Sequence, residues 1–331
     1  MWYGVVCGLA AGSMWGMVFV LPKWLADFSP FELMFGRYVA YALISLALLA
    51  PRLGGLLRRL TRADCLMLLR YALAGNVVYY LLLSCAVQLA GVSAASLIIG
   101  LLPLSISLLG RRDHGSVPLR ALAWPLALVA AGMVCINIEV FASPPGHAGW
   151  PAVATGMLCA AGALASWTWY AVDNTRFLKR NPRFSSGDWS GLFGIASGLV
   201  ALAMGLVMPC VGGAEPAATP ARDWLRFWGL ITLVAAGASV IGNQLWNMAC
   251  RRVPVTLSGQ LLLFEILFGL LYGYLYRRQA PRPLEVTAIV LLIAGVAWSV
   301  WLHAEPRAVR RAPVRVPERA NAQNHDTKGI S

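Results

Sequence analysis

Ten apolar runs, each about 20 residues long, follow one another along this chain, and that succession limits its fold more than any other feature. They lie near 2–22, 31–50, 66–89, 92–110, 121–141, 150–172, 189–209, 227–249, 254–276 and 284–303. As helices, such runs cross a bilayer and close their own backbone hydrogen bonds, which lipid cannot do for them. The sequence is 59% hydrophobic and 12% charged, whereas a soluble domain carries about 25% charge. An all-α integral membrane protein follows, with the lipid bilayer as its surroundings. The net charge of +13 would suggest nucleic acid as partner for a soluble chain. Here the basic residues report topology, and no nucleic-acid partner is expected.

Basic residues crowd the even connections: Arg52, Arg58, Arg59 and Arg62 after the second run, Arg111, Arg112 and Arg120 after the fourth, Arg176, Lys179, Arg180 and Arg183 after the sixth, Arg251 and Arg252 after the eighth. The odd connections hold fewer, although Arg277, Arg278 and Arg282 fall among them. The bias predicts both termini in the cytoplasm. The first run follows Met1 without a basic leader and reads as a retained helix. Residues 304–331, rich in Pro and Arg, read as a disordered basic cytoplasmic tail. Tight hairpins are expected at Ala90-Gly91 and at Arg251 to Pro254, where the apolar runs are barely separated. The seven cysteines form no CxxC pair and the four histidines are dispersed, so no metal site and no cofactor is expected. No P-loop is present to bind ATP.

The chain repeats itself. One constant shift lays Gly110 on Gly273, Pro118 on Pro281, Leu128 on Leu291 and Gly132 on Gly295, and a slightly smaller one lays Trp15 on Trp167. Each half then holds five helices, an odd number, so the second copy enters the membrane inverted. The expected fold is ten transmembrane helices in two inverted five-helix repeats (5+5) around a central cavity. Residues 1–141 form the first repeat, 142–149 a short external linker and 150–303 the second. Inverted repeats point to a transporter with its site near the midplane.

The run ending GSMWGMVFVLPK, the next one opening SPFELMFGRY, the Pro103-bearing fourth and the tenth with IAGVAW resemble the EamA-like ten-helix branch of the drug/metabolite transporter superfamily. The resemblance implies export of a small metabolite or amphipathic compound across a bacterial inner membrane. Members often carry a glutamate just after the fourth and ninth spans. This chain has Arg111-Arg112-Asp113-His114 and Arg277-Arg278-Gln279 there, so that role is not carried over.

Several residues could build a substrate site. Asn76, Tyr80, Ser84 and Gln88 recur every fourth residue on the third run, and the repeat places Ser239, Asn243, Asn247 and Arg251 on the eighth. Two related polar stripes either staple helices together or line a shared wet cavity, and the sequence leaves both open. Aromatic side chains at Trp15, Phe19, Tyr79, Tyr80, Trp167, Tyr170 and Trp246 suit an amphipathic or aromatic small-molecule substrate, though packing alone can also place them there. Arg37, about two turns into the second run, can meet a substrate carboxylate or snorkel. Glu265 sits at the centre of the ninth run, about 16 Å from either end. A carboxylate so deep must be protonated, paired or wet, and such residues mark proton pathways by default. The readings are a secondary exporter coupled to protons through Glu265, an uncoupled facilitator, or a membrane enzyme acting on lipid-linked substrates.

Gly4, Gly8, Gly12 and Gly16 form a ridge on the first helix that either receives a neighbour within the monomer or joins two copies in a homodimer. The topology is tested by reporter fusions: after Asp64 and Lys179 they read cytoplasmic, and after Gly213 external. The reverse pattern contradicts the assignment of faces.

Overall fold

The computed structural model describes residues 1–141, 149–207 and 222–304, and these form ten helices long and apolar enough to span a membrane. They are α1 (Trp2–Trp24), α2 (Pro30–Arg59), α3 (Arg62–Gly91), α4 (Ala94–Arg112), α5 (Leu119–Ile138), α6 (Trp150–Arg180), α7 (Ser186–Val207), α8 (Trp224–Arg252), α9 (Val255–Arg277) and α10 (Pro283–Ala304). The linker expected at 142–149 and the tail expected at 304–331 lie, apart from Gly149 and Ala304, outside the described residues. The largest departures from the hydropathy reading are α2, which runs nine residues past the predicted end at 50, to Arg59, and α6, which runs eight residues past the predicted end at 172, to Arg180.

Local sequence fixes the helix starts. At the start of α2, the Ser29 hydroxyl accepts from the Glu32 N–H at 3.2 Å while the Ser29 N–H donates to the Glu32 carboxylate at 2.7 Å. Thr61 and Asp64 repeat this box at the start of α3, and in each case orphan N–H groups of a first turn are satisfied. The two expected hairpins are present. Gly91 turns the chain between α3 and α4 at φ 85°, a left-handed conformation that suits glycine. Val253, extended at φ −109°, and Pro254 part α8 from α9.

The helices pair as a two-fold relation between the halves requires. α2 packs on α7, α4 on α9 and α5 on α10, each helix meeting its own repeat counterpart. α1 lies on α8 and α9, and its counterpart α6 lies on α3 and α4. The repeat glycines show the same reciprocity. A Cβ on Gly132 of α5 would meet Leu292 of α10 at 3.0 Å, and one on Gly295 of α10 would meet Val129 of α5 at 2.8 Å.

The glycine ridge of α1 is used inside the monomer. Cβ atoms on Gly8, Gly12 and Gly16 would lie 2.7, 2.5 and 2.7 Å from Leu261, Phe264 and Phe268 of α9. Lipid gives helices little hydrophobic reason to associate, so such close van der Waals contact is what holds α1 to α9. The ridge is therefore not a surface for a second copy. Gly12→Val is expected to cost about 1–3 kcal/mol by overpacking and to lower the thermal midpoint in detergent. Gly273→Ala, whose Cβ would meet nothing within 4 Å, should leave the midpoint unchanged. Equal behaviour of the two variants contradicts the packing.

Candidate functional site

The central seam is organised by two departures from α-geometry. Leu73–Val78 in α3 and Ala235–Gly242 in α8 are π-helical turns, at positions the sequence repeat makes equivalent. A π-turn widens the helix and redirects its carbonyls. In hydrocarbon those carbonyls need partners, and the first helix of the opposite repeat supplies them. Trp15 Nε1 of α1 donates to Ala238 O at 2.9 Å, and Ser166 Oγ of α6 donates to Ala74 O at 2.9 Å.

Around these turns α2 and α7 contribute polar groups that the sequence reading passed over. Tyr38 donates to Asn76 Oδ1 at 3.0 Å, and Asn76 Nδ2 donates to Ser197 Oγ of α7 at 2.7 Å. Asn243 Nδ2 donates to the Tyr41 hydroxyl at 3.2 Å, which itself donates to Ser190 O at 2.6 Å. Nearer the end of α8 that follows, Asn174 Nδ2 donates to Asn247 Oδ1 at 3.1 Å, and Trp189 Nε1 donates to Asn174 Oδ1 at 3.0 Å. Arg37, Tyr41 and Ser45 step along α2 every fourth residue, so the spacing that exposed the other stripes carried this one too.

The expected site residues separate into groups. Trp15 and Trp246 are neighbours, ring centroids 5.4 Å apart, and the buried Trp246 indole N–H has no partner among the described residues. Tyr79 stands 6.5 Å from Trp167, which in turn meets Tyr170 at 5.9 Å. Tyr170 is buried, with its ring against Gly75 in the π-turn of α3. Tyr80 and Ser84 remain half-buried on the same helix. Asn247, 2% exposed and bonded to Asn174, serves as an interhelical staple. Phe19 is 53% exposed and lies against Gly269, away from the polar seam.

Arg37 is half-buried, and its Nε donates to Ser239 Oγ in the π-turn of α8 at 3.0 Å. Glu265 is half-buried too, with its backbone pressed by Gly12 of α1. Among the described residues its carboxylate has neither a hydrogen-bond partner nor an ion-pair partner, and Arg37 is the cation whose field reaches it. Tyr79 in turn lies within reach of the Glu265 charge. A cation and a carboxylate thus face one seam without closing on each other. A second acid, Asp173 of α6, is taken up by the Tyr71 hydroxyl at 2.8 Å.

Ten spans bring both termini to one face, which also carries the even connections. On that terminal face Arg52 meets Asp188 at 3.2 Å, Arg176 meets Asp113 at 2.9 Å and Arg183 meets Asp64 at 2.6 Å. Each pair joins one half of the chain to the other. On the opposite face the described residues show one such pair, Arg222 with Glu32 at 2.7 Å.

Comparison with known proteins agrees with this architecture. The EamA-like transporter family matches residues 2–138. Inner membrane protein YtfF of Escherichia coli (strain K12) is 33% identical over 313 residues, covering 90% of this chain and 94% of that protein. The chain belongs to the EamA-like transporter family. A solved crystal structure superposes with a TM-score of 0.69 over 90% of this chain and 98% of its own, at 20% identity, and so shows the shared fold alone. Membership makes the chain a multi-pass membrane transporter of the drug/metabolite type and sets aside the reading as an enzyme of lipid-linked substrates.

Burial divides the polar stripes in a way that thiol labelling can read. In a cysteine-free background, single cysteines at positions 80, 84 and 243 should react with small hydrophilic thiol reagents. One at 247 should be protected until the protein is denatured. Protection at all four positions would mean that both stripes are staples.

Proposed function

We propose that this EamA-like transporter is a secondary exporter in the inner membrane, moving a small organic solute through the seam between its halves in exchange for protons. The carrying observation is Glu265: a mid-span carboxylate, half-exposed, without hydrogen bond or ion pair, across from the unpaired charge of Arg37. An ionised carboxylate is costly in hydrocarbon unless water or a counter-charge reaches it. A group in that position holds a proton when the seam is empty and gives it up when a cationic or zwitterionic guest arrives. Arg37 offers an anionic group of the same guest a partner, and Trp15, Tyr79 and Trp246 offer ring faces to its apolar or cationic parts. Amino acids, other small metabolites and amphipathic drug-like amines share that chemistry.

The arrangement of ion pairs supports alternating access. Three pairs tie the halves together on the terminal face, placed in the cytoplasm by the positive-inside bias, against one on the other face. Exposed pairs contribute only about 0–1 kcal/mol each, so the partly exposed pairs at Arg52 and Arg176 can part within a transport cycle, while the pair at Asp64, a carboxylate only 2% exposed, is the costlier one to break. The small-residue contact of α1 with α9 gives a surface on which the halves can move past each other.

The test is reconstituted transport of a panel of labelled amino acids and cationic amphipathic dyes, with and without a proton gradient. Glu265→Gln keeps size and hydrogen bonding but cannot release a proton. It should abolish gradient-driven accumulation while exchange at equal pH continues, and Glu265→Asp should retain part of the coupling. Accumulation by Glu265→Gln would make the carboxylate structural. A wild-type protein indifferent to the gradient would be a facilitator.

A further inference from the structure

On the terminal side of the seam, a groove of about 500 Å³ opens between α2, α7 and α8. α8 forms its floor, presenting Val240, Gln244, Met248 and then Arg251 and Arg252 along one side. From Val240 to Arg252 the helix rises about 18 Å at 1.5 Å per residue, so the groove reaches past the middle of one leaflet. Its apolar lining includes Met248 and Val240 of α8 and Leu48 of α2, which is 58% exposed, with Ser45 and Ser190 among them. Its mouth is basic.

The charges at the mouth are not balanced from within. Arg52 has Asp188 as partner. Arg251 donates to the Ser186 hydroxyl and to the carbonyls of Leu178 and Phe184, and no carboxylate answers it. Arg252 donates to Met248 O and lies 4.6 Å over the Tyr3 ring, again without a carboxylate. Three guanidinium groups therefore share one acid among the described residues. About 10 Å deeper, two turns before Arg251, the exposed Gln244 amide rests against Gly187 and makes no hydrogen bond. The buried Ser45 hydroxyl in the same wall is unpartnered as well.

We propose that this groove binds an anionic phospholipid: phosphate at Arg251 and Arg252, glycerol beside Met248 and Leu48, an ester carbonyl at Gln244, and the start of an acyl chain at Val240. Inward from the basic mouth come Met248, then the Gln244 amide a turn deeper, then Val240 a turn beyond that, so an anionic head held at the mouth leaves its ester and chain beside apolar side chains and one amide. A soluble anion would use the mouth alone and leave Gln244 and the apolar floor without a role. A lipid seated there touches α2 of the first half and α7 and α8 of the second, and so bridges the halves on the face that carries the three ion pairs.

Purified full-length protein, stripped of lipid in detergent, is titrated with phosphatidylglycerol, phosphatidylcholine or soluble glycerol 3-phosphate, and bound molecules are counted by native mass spectrometry. Wild type should retain phosphatidylglycerol about tenfold better than phosphatidylcholine, and glycerol 3-phosphate should not displace it. Arg252→Gln should weaken phosphatidylglycerol about fivefold, the worth of one basic residue near an anionic surface, and Arg252→Lys should restore most of it. Gln244→Leu should weaken both lipids and leave their ratio unchanged. Equal retention of the two lipids by wild type overturns the proposal without recourse to any variant. So does displacement of the lipid by glycerol 3-phosphate, which would make this a soluble-anion site, or a phosphatidylglycerol preference that Arg252→Gln leaves unmoved.

Discussion

The absence of water in the hydrocarbon core governs this structure, because every polar group that enters the core must bring or find a partner there. The two π-turns would leave carbonyls stranded, and Trp15 and Ser166 reach across from the other half to take them. Asn76, Asn243 and Asn174 bridge helices from different halves or within the second. Glu265 stands against that pattern, for it has no such bond among the described residues. An unpaired carboxylate persists in a membrane helix only where it is neutral or reached by water.

Two-fold pairing then explains why the site lies where it does. Counterpart helices meet in pairs, so positions equivalent in the repeat converge: the π-turns of α3 and α8 flank the seam, and α2 sends Tyr38 toward one and Arg37 toward the other. Small residues let the layers approach closely enough for this. Gly8, Gly12 and Gly16 seat α1 on α9, Gly4 lies against the end of α8, and Gly156 of α6 lies against Ala90 at the end of α3, where a Cβ would come within 2.7 Å of the alanine side chain. Close contact without directional bonds holds these layers together.

Much of the fold was legible in the sequence because it rests on residue types with few substitutes. Gly110 and Gly273, Pro118 and Pro281 betrayed the repeat; Gly91 and Pro254 marked the hairpins; the four-residue glycine ridge announced a close neighbour, though not which one. The missed features have physical reasons. Hydropathy ended α6 at 172 because Asp173, Asn174, Arg176 and Lys179 follow, yet those side chains are matched by Tyr71, Asn247, Asp113 and the Val253 carbonyl. The π-turns have no residue signature, being set by tertiary contacts. Aromatic character alone did not separate Trp246, which is 1% exposed, from Phe19 at 53%. The stripe of Arg37, Tyr41 and Ser45 was hidden by the apolar run around it.

The account stands most directly on the claim that the Glu265 carboxyl exchanges protons with bulk water. Difference infrared spectroscopy of the reconstituted protein, taken across a pH series and compared with Glu265→Gln, isolates its carboxyl stretch from the other acids. The account predicts a protonated-carboxyl band that appears and disappears reversibly with bulk pH and is missing from the variant. A Glu265 band that does not respond to pH would contradict it, placing the side chain in a sealed site.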